Sequence, residues 1–254
     1  MSAPPHPTPS ELVPSPCVGR VFRADRGVRL GDVSPSGRLR LDAAARFLQD
    51  VSSDDNVDAA LPERETWVVR KTVIEVAQAP RYLEPLDLAT WCSGTGSHWA
   101  ERRISITGRW GGAIEASTTW VYFDRSSGRP QRVSEAFMAI YGEASEGRRI
   151  KARLLHSEPP VEAERRPWPL RTTDFDVLAH VNNAAYWEAV EEALVAHGPR
   201  PRVLRAELEH RHAIEPGASV ELVTHRDPDG DVLWVWLVTG GVVAASAWVQ
   251  PVSS

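Results

Sequence analysis

The order of elements in this chain is written twice. A polar loop, one helical stretch and a run of strand-like segments fill the first half, and the same succession returns in the second. In the first copy, Arg29–Ser36 is polar and turn-rich. Leu41–Val51 then places Ala44, Phe47, Leu48 and Val51 at helical spacing, with Asp42 as a possible cap. Strand-like runs follow at Trp67–Ala77, Leu86–Cys92, His98–Thr107 and Ile114–Phe123, punctuated by Gly94–Gly96 and Gly111–Gly112. In the second copy, Arg171–Asn183 precedes a helical stretch at Ala184–His197, stopped by Gly198 and Pro199. Strand-like runs come next at Val203–His212, Ser219–His225, Val232–Thr239 and Val242–Val249, with Asp229–Gly230 as a hairpin turn.

Residues echo as well as elements. Arg29–Asp32 (RLGD) parallels Arg171–Asp174 (RTTD), Leu83–Pro85 (LEP) parallels Ile214–Pro216 (IEP), and Ser117–Val121 (STTWV) parallels Ala245–Val249 (ASAWV). Glu84 thereby matches Glu215. One such match arises easily by chance; three in the same order, on matching elements, do not. The expected architecture is α+β, two domain-sized repeats of one helix and an antiparallel sheet. Residues 1–17, with six prolines in the first sixteen, read as a disordered tail. Residues 18–142 form the first repeat, 143–169 a linker rich in charge and proline, and 170–252 the second repeat.

Composition narrows the function classes. A formal net charge of −5 argues against a nucleic-acid binder, which carries a strongly basic face. Cys17 and Cys92 are far apart and lack metal or disulfide spacing, so a reducing cytoplasm is expected, with no metal and no cofactor. There is no signal-peptide pattern, and no apolar stretch reaches the ~18 residues of a membrane span. Ten tryptophans against five phenylalanines hint at large apolar pockets.

Chemistry concentrates in one place. Arg171–Glu192 packs Asp174, Asp176, His180, Asn182 and Asn183 immediately before a helix. The helix start offers free N–H groups and a positive dipole end. An acid, an imidazole and a helix end converge at Asp176 and His180. Asp174 reads as ordering the loop and Asn182 as an N-cap. His210 and His212 sit two apart on a strand and read as a solvent-facing pair rather than metal ligands. Trp67, Trp91, Trp99 and Trp120 read as core or lining. Arg148, Arg149, Lys151 and Arg153 read as a solvated linker face, with docking of an acidic carrier as the alternative.

The second-half motif, carried by Arg171, Asp174, Asp176, His180, Val181, Asn182, Asn183 and Tyr186, resembles that of hotdog-fold acyl-thioester hydrolases. Phe47–Val51, Trp91–Gly94, Thr119–Val121 and Arg129–Ser134 narrow the resemblance to acyl-acyl-carrier-protein thioesterases, which are two hotdog repeats in one chain. The resemblance implies a double hotdog fold, a helix wrapped by a curved antiparallel sheet in each repeat. It implies hydrolysis of acyl-carrier-protein or coenzyme A thioesters, with Asp176, His180 and Glu215 as catalytic residues. Asn182 and Asn183 fall to substrate or oxyanion binding. The first repeat reads DVSPSGRL over Asp32–Leu39, lacks the histidine, and is expected to be inactive. The family's loop asparagine is Leu178 here, and its second-repeat cysteine is missing, which excludes a cysteine nucleophile. A non-catalytic acyl-binding protein or a hotdog dehydratase are the alternatives, and both monomer and homodimer are compatible with a tandem repeat.

Overall fold

The computed structural model describes residues 4, 9–61, 66–124, 127–198, 201–227 and 230–252. Ten strands form one antiparallel sheet. They are β1 (Phe22–Gly27), β2 (Thr66–Gln78), β3 (Pro85–Thr95), β4 (Trp99–Gly108), β5 (Ala113–Phe123), β6 (Glu164–Pro167), β7 (Leu204–His210), β8 (Val220–Arg226), β9 (Leu233–Thr239) and β10 (Val242–Pro251). Their spatial order is β1-β3-β4-β5-β2-β7-β10-β9-β8-β6. The first five strands and the last five follow the same internal order. The halves meet at β2 and β7, where Lys71 lies opposite Glu209 and Ile74 opposite Ala206.

Alternation along the seam sorts the two faces. On β7, Leu204, Ala206 and Leu208 join the main core, as Ile74 does on β2. That core encloses α1 (Leu41–Asp58) and α3 (Ala185–Ala196), with Phe47 and Leu48 from one helix and Trp187 and Val190 from the other. Trp187 is 1% exposed, and truncating such a side chain costs about 3–5 kcal/mol. The helices also touch through polar atoms. The Leu41 amide, an orphan donor at the start of α1, donates to Glu191 Oε1 of α3 at 2.5 Å. Asp42 is therefore not the cap. It is buried in the first turn and pairs with Arg40 and Arg46.

The outer face of the second repeat explains much of the tryptophan content. Trp234, Trp236 and Trp248 pack there with Val223, Val238 and Ala163. The segment that joins the repeats covers them, and Trp236 Nε1 donates to Ser157 O at 2.8 Å. These tryptophans are packed core, not pocket walls.

Three elements depart from expectation. Helix α1 continues past Val51 to Asp58, because its polar last turns are paired: Asp54 with Arg26, Asp55 with Arg20 and Arg102, Asp58 with Arg20. The segment read as a linker contains the edge strand β6, paired with β8, and a short helix α2 (Glu135–Tyr141) precedes it, capped by Ser134 Oγ accepting from Phe137 N. The described part of the proline-rich tail, 9–17, is bound. Arg103 Nε donates to Val13 O at 2.9 Å, and Ser10 Oγ donates to Glu207 at 2.9 Å. Pro199 and Asp229 lie outside the described residues. Among those described, no helix is long and apolar enough to cross a membrane.

Candidate active site

The loop before α3 is a small closed hairpin. Phe175 and Val181 bridge, Asp176 N donates to His180 O at 2.9 Å, and Ala179, in the left-handed region at φ 56°, donates its N–H to Asp176 O. Asp176 Oδ1 accepts from Leu178 N at 2.9 Å, an Asx turn that fixes the carboxylate. Asp174 has the ordering role expected of it. It is buried and accepts from Arg171 N at 2.7 Å and Arg171 Nε at 2.9 Å.

The helix start is more occupied than a bare N-terminus. Asn182 Oδ1 accepts from Ala184 N, Asn182 O accepts from Ala185 N, and Ala184 O accepts from Trp187 N. Asn182 thus closes an Asx turn ahead of α3 rather than capping it: the N-cap position is Ala184, which has no side-chain cap. Asn183 differs: its side-chain amide has no hydrogen-bond partner among the described residues, and neither does its backbone N–H.

Asp176, Leu178, His180 and Asn183 line a cavity of about 830 Å³. Its opposite wall comes from the first repeat, through Trp67, Val68, Trp99 and Val121. A second cavity, about 290 Å³, is lined by Gln49, Cys92, Trp120 and Phe137, and shares Trp67 and Asn183 with the first. Of the four tryptophans singled out by sequence, Trp67, Trp99 and Trp120 line these cavities. Trp91 sits instead on the outer face under the Arg103 guanidinium, 5.3 Å away.

Glu215 is not brought to this site. It is exposed and lines neither cavity. Nor does it occupy the place of Glu84: Leu39 N donates to Pro80 O and Glu84 N to Arg81 O, as Val181 N donates to Ile214 O and Ala218 N to Glu215 O, so Glu215 stands where the first repeat has Arg81. Glu84 is buried and accepts from the backbone N–H groups of Arg81, Trp110 and Gly112. The expectation for His210 is corrected too. It is buried, and only His212 is exposed, although both line the larger cavity. Burial, aided by the nearby Arg70 charge, pushes the His210 imidazole down to about 3, so the ring is neutral. It stands edge-on to Tyr186 at 4.8 Å. Burial pushes the Tyr186 phenol up to about 12 and the Cys92 thiol up to about 11, so both keep their protons. Parity along β7 was the available signal: Leu204, Ala206 and Leu208 face inward, so His210 must as well.

Comparison with known proteins agrees with this architecture. Residues 19–141 match the acyl-ACP thioesterase N-terminal domain and residues 157–241 the C-terminal domain. An uncharacterized protein of Mycobacterium tuberculosis is 31% identical over 240 residues, covering 94% of this chain and 95% of that protein. The chloroplastic acyl-[acyl-carrier-protein] hydrolase FATB2 of Cuphea viscosissima is 23% identical, and the alignment covers 84% of this chain and 57% of the plant protein. The 12:0-ACP thioesterase from Umbellularia californica has the same fold, with a TM-score of 0.77 at 17% identity over 91% of this chain and 96% of that one. Two helices, each cradled by half of a continuous antiparallel sheet, define a double hotdog protein. The chain belongs to the acyl-ACP thioesterase family, and that membership supports acyl-thioester hydrolysis in general terms.

Proposed function

We propose that the protein hydrolyses acyl thioesters at the cavity between Asp176, His180 and Asn183. One observation carries the reading: Asp176 and His180, a carboxylate and an imidazole of one short loop, both line a cavity whose far wall belongs to the other repeat. The thioester carbonyl would lie beside Asn183, whose free N–H groups could hold the developing oxyanion, an effect of about 3 kcal/mol per donor. Water attacks the carbonyl carbon with Asp176 and His180 orienting it and accepting its proton. The C–S bond breaks, and the proton passes to the departing thiolate. The products are a carboxylic acid and a free thiol. The acyl chain occupies the smaller cavity past Asn183, among Trp67, Trp120 and Phe137.

The carrier would approach the larger cavity. Ala152 lines it, and the flanking Lys151 and Arg153 are exposed, which suits an acidic carrier protein or the phosphates of coenzyme A. Arg148 and Arg149 are committed elsewhere, to Glu101 and to Thr95 Oγ1.

Purified protein with a panel of acyl-carrier-protein and acyl-CoA thioesters, followed by thiol release, tests the reading. Turnover that is lost in both Asp176→Asn and His180→Ala, with unchanged melting curves, is the expected result. No release above background at any chain length would overturn hydrolysis and leave an acyl-binding protein; activity in both variants would overturn the site.

A further inference from the structure

A second cluster of chemically able side chains lies on the opposite face of the sheet, at the seam of the two repeats. Glu207 and Glu209 point outward from β7, between the inward Ala206, Leu208 and His210. His156, in the segment joining the repeats, packs over them. The three residues are 7%, 2% and 0% exposed for His156, Glu207 and Glu209.

We propose that His156, Glu207 and Glu209 form a binding site for a divalent transition-metal cation of the zinc class. The tautomer is the first support. His156 Nδ1 lies 3.1 Å from both the backbone carbonyl and the hydroxyl oxygen of Ser246; the carbonyl can only accept, so the tautomer with the hydrogen on Nδ1 satisfies it and leaves Nε2 with its lone pair. This is the arrangement that orients and strengthens a ligating imidazole. Nε2 makes no hydrogen bond, though buried. It faces Glu207 Oε1 at 3.5 Å and Glu209 Oε1 at 3.8 Å.

Those distances favour an ion over a proton. A proton shared between imidazolium and carboxylate would draw the heavy atoms to about 2.7–2.9 Å. Donors around a tetrahedral zinc, with bonds of about 2.0–2.1 Å, stand roughly 3.4 Å apart. One donor atom from each of the three residues lies within 4.8 Å of the others, so small rotations close the set.

The carboxylates are also fixed in place by other hydrogen bonds, one of them to Glu209 Oε1 itself. Glu209 accepts from Leu155 N at 2.7 Å and His156 N at 3.1 Å, and Glu207 Oε2 accepts from Ser10 Oγ at 2.9 Å. Lys71 Nζ, 3.5 Å from Glu207 Oε1, balances one of the two negative charges and leaves the other for the cation. With mixed nitrogen and oxygen donors, zinc, cobalt or manganese fit better than calcium. Such an ion would pin the joining segment to β7, where the repeats meet, and would take no part in the cavity on the far side of the sheet.

The full-length protein, stripped with chelator and dialysed, is titrated with Zn²⁺ and separately with Co²⁺. Melting temperature, metal content and the visible cobalt spectrum are the readouts. Expected is one metal per chain, a higher melting temperature with zinc, and loss of both in Glu209→Gln and His156→Gln, but not in His212→Ala. Absence of stoichiometric binding would overturn the proposal. So would binding that survives Glu209→Gln and His156→Gln or vanishes in His212→Ala. A wild-type melting temperature that follows pH through the imidazole range and ignores zinc assigns the cluster to a proton, and also overturns it.

Discussion

Ser34 and Asp176 hold the same position in two loops with one hydrogen-bond skeleton. Ser34 N donates to Arg38 O at 2.8 Å, as Asp176 N donates to His180 O at 2.9 Å. Gly37 N and Ala179 N donate back to Ser34 O and Asp176 O, and Arg40 N and Asn182 N donate to Asp32 O and Asp174 O. Val33–Leu39 and Phe175–Val181 bridge alike. The repeats have kept the loop and changed its chemistry: serine for aspartate, and arginine for histidine.

That relationship sets the first expectation. Asp176→Ser gives the second loop the first loop's residue, and a serine hydroxyl can still close the local turn. Folding should survive, while thiol release falls by about 100-fold or more, in the range of a lost general base. Ser34→Ala should change turnover less than about twofold, since a residue outside the chemistry leaves the rate alone. Steady-state kinetics beside melting curves reads both. Equal losses in the two variants would mean that both loops are catalytic.

Glu84 and Glu215 should diverge by function as they do by burial. Glu84 is 1% exposed, and its carboxylate accepts three backbone N–H groups at 2.8–2.9 Å. The approach depends on Gly108, where an added Cβ would come within 2.1 Å of Glu84 Oε1. Glu84→Ala leaves three backbone donors without their acceptor, of which the Gly112 N–H is buried, and should cost about 1–3 kcal/mol in urea denaturation. Glu215→Ala, at an exposed site, should stay within about 0.5 kcal/mol. Its turnover is the sharper readout. A drop of tenfold or more would place Glu215 in the chemistry although it does not line the cavity.

The repeat and the motif loop were legible because each rests on local pattern. Eight strands alternate or run apolar, and Asp176, His180 and Asn183 fall within one short loop, so cavity and sequence cluster coincide. The misses have a common physical cause: partners distant in the chain. β1 (FRADRG) and β6 (ERRP) are short, charged edge strands whose pairing is supplied by β3 and β8. The end of α1 lies beyond the helical spacing read for Leu41–Val51, yet Asp55, 1% exposed, is held by Arg20 and Arg102 from two other segments. His156, Glu207 and Glu209 cannot be recognised as a cluster from spacing, because fifty residues separate the histidine from the glutamates. The pairing of Glu84 with Glu215 read from LEP and IEP slips by three residues in the structure, where Glu215 corresponds to Arg81 and Glu84 to Ala218.

His210 predicts an acid limit to stability. The folded protein holds it neutral down to about pH 3. The unfolded chain protonates it near its ordinary value of about 6.5. Between those values the unfolded state binds the extra proton, so stability falls as pH falls, by about 1.4 kcal/mol per unit. His210→Phe keeps a ring against Tyr186 and removes the titration. Urea denaturation at pH 7 and pH 5 should show the wild type losing about 2 kcal/mol more than the variant. Identical losses would mean that the imidazole is reached by water. The same neutrality implies that the His210 ring does not supply an ionisation near pH 7 to the pH–rate profile.

Lys151 and Arg153 offer the clearest test of where a carrier docks. Both are exposed on either side of Ala152, a wall of the larger cavity. Charge reversal of the pair to glutamate should raise KM for an acyl-carrier-protein substrate about tenfold and leave kcat within about twofold, because rim charges act on encounter rather than on the chemical step. The wild-type KM should also rise with ionic strength as salt screens the approach, and the reversed variant should lose that dependence. Acyl-CoA, with fewer charges, should respond less. If KM for the carrier-protein substrate is unchanged at low salt, docking takes place on another face, and the cavity mouth is approached by the pantetheine arm alone.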